Sequence, residues 1–185
     1  ERLLDNSDDA SSSDYHFRLL DTDEVNAFAV PGGWIYVTRG LVTRCKDEAV
    51  LAGVLGHEIA HAIARHGNER MSQQLLVQAG GIGLAVSLSE KPKLTQDLFL
   101  LSYGATSALG VLGYSRKHES EADKMGLVFM AMAGYNPEKA VSFWQRMADA
   151  GGAKPPELVS THPSNERRIS DIQEFLPVAM TYYKK

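Results

Sequence analysis

The chain has 185 residues, 44% hydrophobic and 23% charged, which fits one compact domain with a sizeable core and excludes both a disordered polymer and two ordinary domains. Its 19 basic and 23 acidic residues give a net charge of -4 with no Lys/Arg-rich block, so nucleic acid is excluded as a partner. The single cysteine, Cys45, excludes an intramolecular disulfide and any Cys-based zinc site.

The sequence opens on Glu1, without an initiator Met, a basic segment or an apolar segment. It reads as a processed or trimmed product whose targeting signal or lipid anchor is out of view. Residues 1–14 include the polar run Asp5 to Asp14 and are expected to be a flexible acidic lead-in. From Tyr15 the character changes. Tyr15 to Leu20, Val25 to Val30 and Trp34 to Thr38 are rich in aromatic and β-branched residues, and Asp21-Thr22-Asp23 and Pro31-Gly32-Gly33 separate them as turns. A small antiparallel sheet of about three strands is expected, with His16 in a structural place on the first.

From Lys46 onward the pattern is helical. Ala49 to Ala64 is apolar on nearly every face, which marks a buried helix, with Asp47 and Glu48 suited to its start and Arg65-His66-Gly67 to its end. Leu75 to Leu88 and Leu98 to Gly113 are apolar and rich in small residues, but shorter than the ~20 residues a membrane span needs. They read as buried or lid helices, with a membrane-touching surface as the alternative, and 71–113 is expected to form a mobile helical flap over a cleft. A further helix covers Arg116 to Ala133 and stops at Gly134. Asn136-Pro137 then caps a helix that runs to about Ala150 and ends at Gly151-Gly152. After a Lys154-Pro155-Pro156 linker, a last helix starts near His162-Pro163 and ends before Pro177. The fold class is α+β, mainly α, with the small sheet packed on the buried helix.

That buried helix carries His57-Glu58-Ile59-Ala60-His61. Two histidines four apart lie on one helical face one turn apart, so both rings reach one Zn²⁺ at roughly 2.0–2.1 Å. Glu58, rotated by ~100°, reaches a metal-bound water without ligating the metal. Zinc lowers the pKa of that water, Glu58 takes the proton, and the hydroxide attacks a carbonyl carbon. A helix otherwise built of Ala, Val, Leu, Ile and Gly has no packing reason to bury His, Glu and His, which would cost several kcal/mol uncompensated. A catalytic zinc takes a third protein ligand. No histidine follows until His66, which at five residues past His61 points off the metal face, and His118. In Glu119-Ser120-Glu121-Ala122-Asp123, Glu119 and Asp123 share a helical face while Glu121 points elsewhere. Glu119 is taken as the third ligand. Asp123 is taken as the carboxylate that fixes the tautomer of a zinc-bound imidazole, expected to be His57. A solvated acidic face pairing with Lys117 and Lys124 is the alternative that the neighbouring motif argues against.

Three strings together resemble metallopeptidase family forty-eight, the gluzincins that include the HtpX, CAAX prenyl and Oma-type proteases. They are Asn26-Ala27-Phe28-Ala29-Val30-Pro31-Gly32-Gly33, His57 to His61, and Ser115-Arg116 followed by Glu119 to Asp123. The resemblance runs from about Tyr15 to Ile172 and implies a single zinc metallopeptidase domain over 15–185. It implies one Zn²⁺ held by His57, His61 and Glu119, with Glu58 as catalytic base and Asp123 behind a ligand. It also implies that Trp34 to Thr38 lies along the cleft, where an extended polypeptide adds to the sheet edge. Thr161-His162-Pro163 resembles a segment of the periplasmic members, in which the histidine is a regulatory fourth ligand or an oxyanion stabiliser; an ordinary helix-start role for His162 stays open. The long membrane spans of some members and the tetratricopeptide repeats of others are missing here. The resemblance therefore points to the bacterial periplasm or a membrane-associated location, and to unfolded or misassembled envelope proteins as substrates. A zinc-stabilised, chaperone-like binding module is the alternative function.

Smaller signals attach to nothing definite. Tyr103, Tyr114, Arg116 and His118 could each stabilise an oxyanion, though surface or core roles suit each singly. Met125, Met130 and Met132 read as core filler. Gly80-Gly81-Ile82-Gly83 lacks the preceding strand and following Lys-Ser/Thr of a nucleotide loop.

Overall fold

Three strands and six helices follow one another among the described residues of the computed structural model, which are 15–30, 32–149, 158, 162 and 166–184. The acidic lead-in 1–14, Pro31, the Gly151-Gly152 helix end, the Lys154-Pro155-Pro156 linker, Thr161 and Pro163 lie outside them. The strands are β1 (His16–Leu20), β2 (Ala27–Val30) and β3 (Trp34–Thr38). The helices are α1 (Arg39–Cys45), α2 (Glu48–Ile63), α3 (His66–Ser87), α4 (Lys93–Met132), α5 (Glu138–Asp149) and α6 (Glu166–Met180). The described residues are mainly helical with one small sheet, as the hydrophobic periods lead one to expect.

The sheet has the order β1-β3-β2, so it is mixed rather than antiparallel throughout. β2 and β3 form a hairpin, with Ala29 opposite Ile35, across a turn in which Gly32 and Gly33 take φ of 95° and 79°. β1 lies parallel to β3, Phe17 opposite Ile35, because the connection 21–26 steps across the end of β3 instead of turning back beside β1. Thr38 pins that crossing. Its hydroxyl accepts from Asn26 N–H at 3.0 Å, donates to the Glu24 carbonyl at 2.7 Å, and caps α1 by accepting from Leu41 N–H at 3.2 Å. Gly40 is needed beneath it, since a Cβ there would sit 2.2 Å from the carbonyl oxygens of Asp23 and Glu24. The central place of β3 has a functional consequence. Both of its edges are paired, so an incoming peptide cannot add to it, and among the described residues the edge strand packed on α2 is β2.

The chain divides into two compact units, 1–65 with 119–185, and 66–118. In the first, α2 starts from Asp47, whose carboxylate accepts from Ala49 N–H at 2.9 Å, and it packs against β2, α1 and α5. Val50, Val54, Ile59 and Ala60 bury its apolar faces in a core with Ile35, Leu41, Met130 and Met147. The Asn136 side chain caps α5 by accepting from Glu138 N–H at 3.0 Å, with Pro137 immediately before the first helical residue. Of the methionines read as core, Met130 is fully buried and Met125 packs against the core, but Met132 is 39% exposed at the last turn of its helix. The final helix runs through Pro177 rather than ending before it, at the loss of one i→i−4 hydrogen bond to the Gln173 carbonyl.

A close backbone approach locks α2 to the C-terminal part of α4. A Cβ on Gly126 would meet His57 N at 2.8 Å, and one on Gly56 would meet the Gly126 carbonyl at 2.8 Å. Both neighbours are main chain and cannot swing aside. Gly126→Ala is therefore expected to lower stability by about 1–3 kcal/mol, as overpacking does. A urea unfolding midpoint equal to wild type would contradict that contact.

In the second unit, α3 runs into a turn and then into α4, which begins 23 residues before the expected Arg116 because the small apolar stretch 98–113 continues the helix. Tyr103 packs on Gly80, and its hydroxyl donates to the Val77 carbonyl at 2.9 Å. The two apolar stretches are helical as expected but not buried; Leu75, Leu76, Leu98 and Leu101 are 56–72% exposed. No described helix is long and apolar enough to cross a membrane.

Candidate active site

The first unit brings His57 and His61 of α2, Glu119 and Asp123 of α4, and His162 together. One ring nitrogen from each of His57, His61 and His162 and a carboxylate oxygen of Glu119 all lie within 4.8 Å of one another. His57 Nε2 is 3.1 Å from His61 Nε2 and 3.3 Å from Glu119 Oε2, and His61 Nε2 is 3.3 Å from Glu119 Oε1. His162 Nδ1 is 3.2 Å from His57 Nε2 and 3.0 Å from Glu119 Oε2. Donors bound tetrahedrally to one zinc at roughly 2.0–2.1 Å stand about 3.3 Å apart, so these separations are close to the edges of such a tetrahedron. Two imidazole nitrogens and a carboxylate oxygen also form the donor set zinc takes. The residues fit the metal.

Glu58 is 1% exposed beside this cluster. Its Oε2 accepts from Ala29 N–H of the edge strand β2 at 3.1 Å. Its Oε1 lies 3.2 Å from His162 Nε2 but off the axis of a hydrogen bond, which leaves a buried acceptor facing the cluster without an aligned donor. Burial pushes the Glu58 carboxyl above its ordinary value, which makes it a readier proton acceptor.

Asp123 stands behind His57, with Oδ1 2.9 Å from His57 Nδ1. Burial would raise the Asp123 carboxyl, but the Arg168 guanidinium and His57 together outweigh it and hold it below its ordinary value. An ionised oxygen this close favours a proton on Nδ1, so Nε2 is the nitrogen left to a metal once its own proton is lost. Burial lowers His61 to about 4, so it is a neutral donor at physiological pH. Burial works against the charged form of His57 too, yet Asp123 and Glu119 outweigh it and raise it to about 9. Glu119 is held well below the usual carboxylate range, because its contacts to His162, His57 and His61 outweigh the burial that would raise it.

All six residues singled out in the sequence therefore meet at one place, and Glu121, expected to point elsewhere, is exposed. The strand assigned to the cleft does not hold. The main-chain group nearest Glu58 comes from Ala29 on β2, not from Trp34 to Thr38, because β3 is the central strand. His16 stacks at 4.6 Å on Trp34, a structural role. Of the oxyanion candidates, Tyr103 is committed to Val77, Arg116 is exposed, and His118 stacks on His66 with Nε2 3.0 Å from Glu69; the Tyr114 side chain is outside the described residues.

Arg168 and Trp144 are the parts that sequence reading missed. Arg168 Nε and Nη2 donate to Asp123 at 2.7 Å each, Nη1 donates to the His162 carbonyl at 3.1 Å, and the guanidinium covers the Trp144 ring at 4.3 Å. The Trp144 ring stands edge-on to His57 at 5.4 Å. A signal for Arg168 existed. It lies one helical turn before the buried Ile172, on the buried face of an amphipathic helix, where an unpaired arginine is not tolerated.

The model of Peptidase family M48 matches residues 1–176. The chain is 41% identical over 156 residues to the mitochondrial metalloendopeptidase OMA1 of Schizosaccharomyces pombe, covering 83% of this chain and 44% of that one. It is 32% identical over 182 residues to the putative beta-barrel assembly-enhancing protease of Vibrio cholerae, covering 94% and 37%. The chain thus spans less than half the length of these relatives. With the family's model matched over nearly all of its length, the chain belongs to peptidase family M48.

Proposed function

We propose that this chain is a zinc-dependent endopeptidase in which His57, His61 and Glu119 hold one Zn²⁺ and Glu58 is the general base. The observation that carries the reading is the set of separations of 3.1–3.3 Å among the His57, His61 and Glu119 donors, with the buried Glu58 Oε1, which accepts no hydrogen bond, beside His162. When bound, zinc supplies the charge that acidifies water and polarises a peptide carbonyl. Glu58 takes the proton from the attacking water at Oε1 and passes it to the leaving amine, while Ala29 N–H fixes its other oxygen. Asp123 keeps the His57 proton on Nδ1 throughout. An extended polypeptide pairs with the edge of β2 beside Ala29, whose own N–H is held by Glu58. Unfolded or misassembled envelope proteins are the proposed substrates, by analogy with the relatives' names, in a periplasmic or membrane-associated setting.

One observation favours a latent form. His162 Nδ1 stands where a fourth ligand would, and four protein ligands close a zinc site. In that reading His162 must leave before substrate enters, and a permanently closed site would make the chain a zinc-stabilised binding module. The test is casein digestion by the zinc-loaded protein and its His162→Ala variant, before and after chelation. Cleavage that chelator abolishes and added zinc restores is expected, with His162→Ala several-fold faster. One bound zinc with no cleavage by either protein would favour the binding module; chelator-resistant cleavage would refute the metal reading.

A further inference from the structure

We infer that Arg168 is a positioning residue that orients the His57 imidazole through Asp123. The inference rests on the zinc reading above. Arg168 is 7% exposed, and a buried guanidinium is costly unless its donors are met. Here Nε, Nη1 and Nη2 each have a partner. Nε and Nη2 form a two-point fork onto Asp123, so the carboxylate cannot rotate about a single bond. The guanidinium is fixed in turn by the Trp144 face, by the His162 carbonyl, and by Nη1 at 3.2 Å from Glu119 Oε2. Asp123 Oδ1 receives one arm of the fork and stands 2.9 Å from His57 Nδ1, off the axis of a hydrogen bond, so the fork fixes where the carboxylate's charge sits beside the ring. Three carboxylates, Glu58, Glu119 and Asp123, crowd this buried site, and Arg168 supplies a fixed positive charge that does not titrate. A lysine in its place would offer a point charge without the fork, and Asp123 would be free to turn.

The experiment measures the zinc dissociation constant of refolded metal-free protein by competition with a chelating dye, for wild type, Arg168→Lys, Arg168→Gln, Asp123→Asn and the Arg168→Gln/Asp123→Asn double variant. Arg168→Gln and Asp123→Asn should each weaken zinc binding by about 10- to 100-fold, the range seen when a ligand's hydrogen-bond partner is lost. Arg168→Lys should fail to restore it. The double variant should bind within about threefold of the weaker single one, since both changes break one chain of contacts. If Arg168→Gln alone does not fold, the double variant, which leaves no buried ion unpaired, is compared with Asp123→Asn. Equal affinities support the inference and a further tenfold loss overturns it. Wild-type affinity in folded Arg168→Gln also overturns it, while leaving the zinc reading intact. Wild type that binds no zinc would overturn both.

Discussion

Glu58→Gln is expected to cut proteolysis by about 10³-fold, within the range general acid–base groups contribute, while leaving one zinc per chain. The substitution separates the two jobs of the side chain. Glutamine keeps a carbonyl oxygen for the Ala29 N–H at 3.1 Å, so the link between α2 and the edge strand survives. What it loses is the basic oxygen, the one burial has already raised toward proton capture. Casein fragments followed over hours, together with metal analysis, provide the check. A glutamine variant that cuts at the wild-type rate would remove Glu58 from the mechanism.

Glu119→Ala is expected to act one step earlier, by losing the metal. Glu119 lies within 3.3 Å of donor nitrogens from His57, His61 and His162, and its ionised form is secured by the same neighbours. Its removal should weaken zinc binding by more than the 10- to 100-fold that an outer partner costs. Wild type should also melt at a higher temperature as zinc is added, because a ligand that binds only the folded state stabilises it. Glu119→Ala should show no such rise. An alanine variant with normal zinc content and turnover would place the third ligand elsewhere.

The parts of this site legible in sequence share a local cause. His57, Glu58 and His61 follow from helical geometry within five residues, and Glu119 with Asp123 from the same geometry in one further turn. The strand runs were visible because β-branched and aromatic clusters are local too. Strand order was not, because it depends on where the connection 21–26 crosses, and that is decided by Thr38 and Gly40 far along the chain. Arg168 belongs with strand order. Nothing within its own helix announces Asp123, a partner 45 residues away. The start of α4 was misplaced because glycines at 104, 110 and 113 look like breaks, yet a helix tolerates them at roughly 1 kcal/mol each.

The division of the chain into two units bears on how the protein comes to be folded. The unit holding the His57, His61, Glu119 and His162 cluster is interrupted in sequence by 66–118, so its halves must meet across a long excursion. Closing a loop of about sixty residues between His57 and Glu119 costs about 4 kcal/mol of chain entropy on a flexible-polymer estimate. During synthesis at ~5–20 residues per second, α2 emerges several seconds before the segment that carries Glu119, Asp123 and Arg168. For that interval His57 and Glu58 have no native partners, and the apolar faces that later meet α4 and α5 are open to water. In the zinc reading proposed above, the full ligand set would form only after this long-range closure.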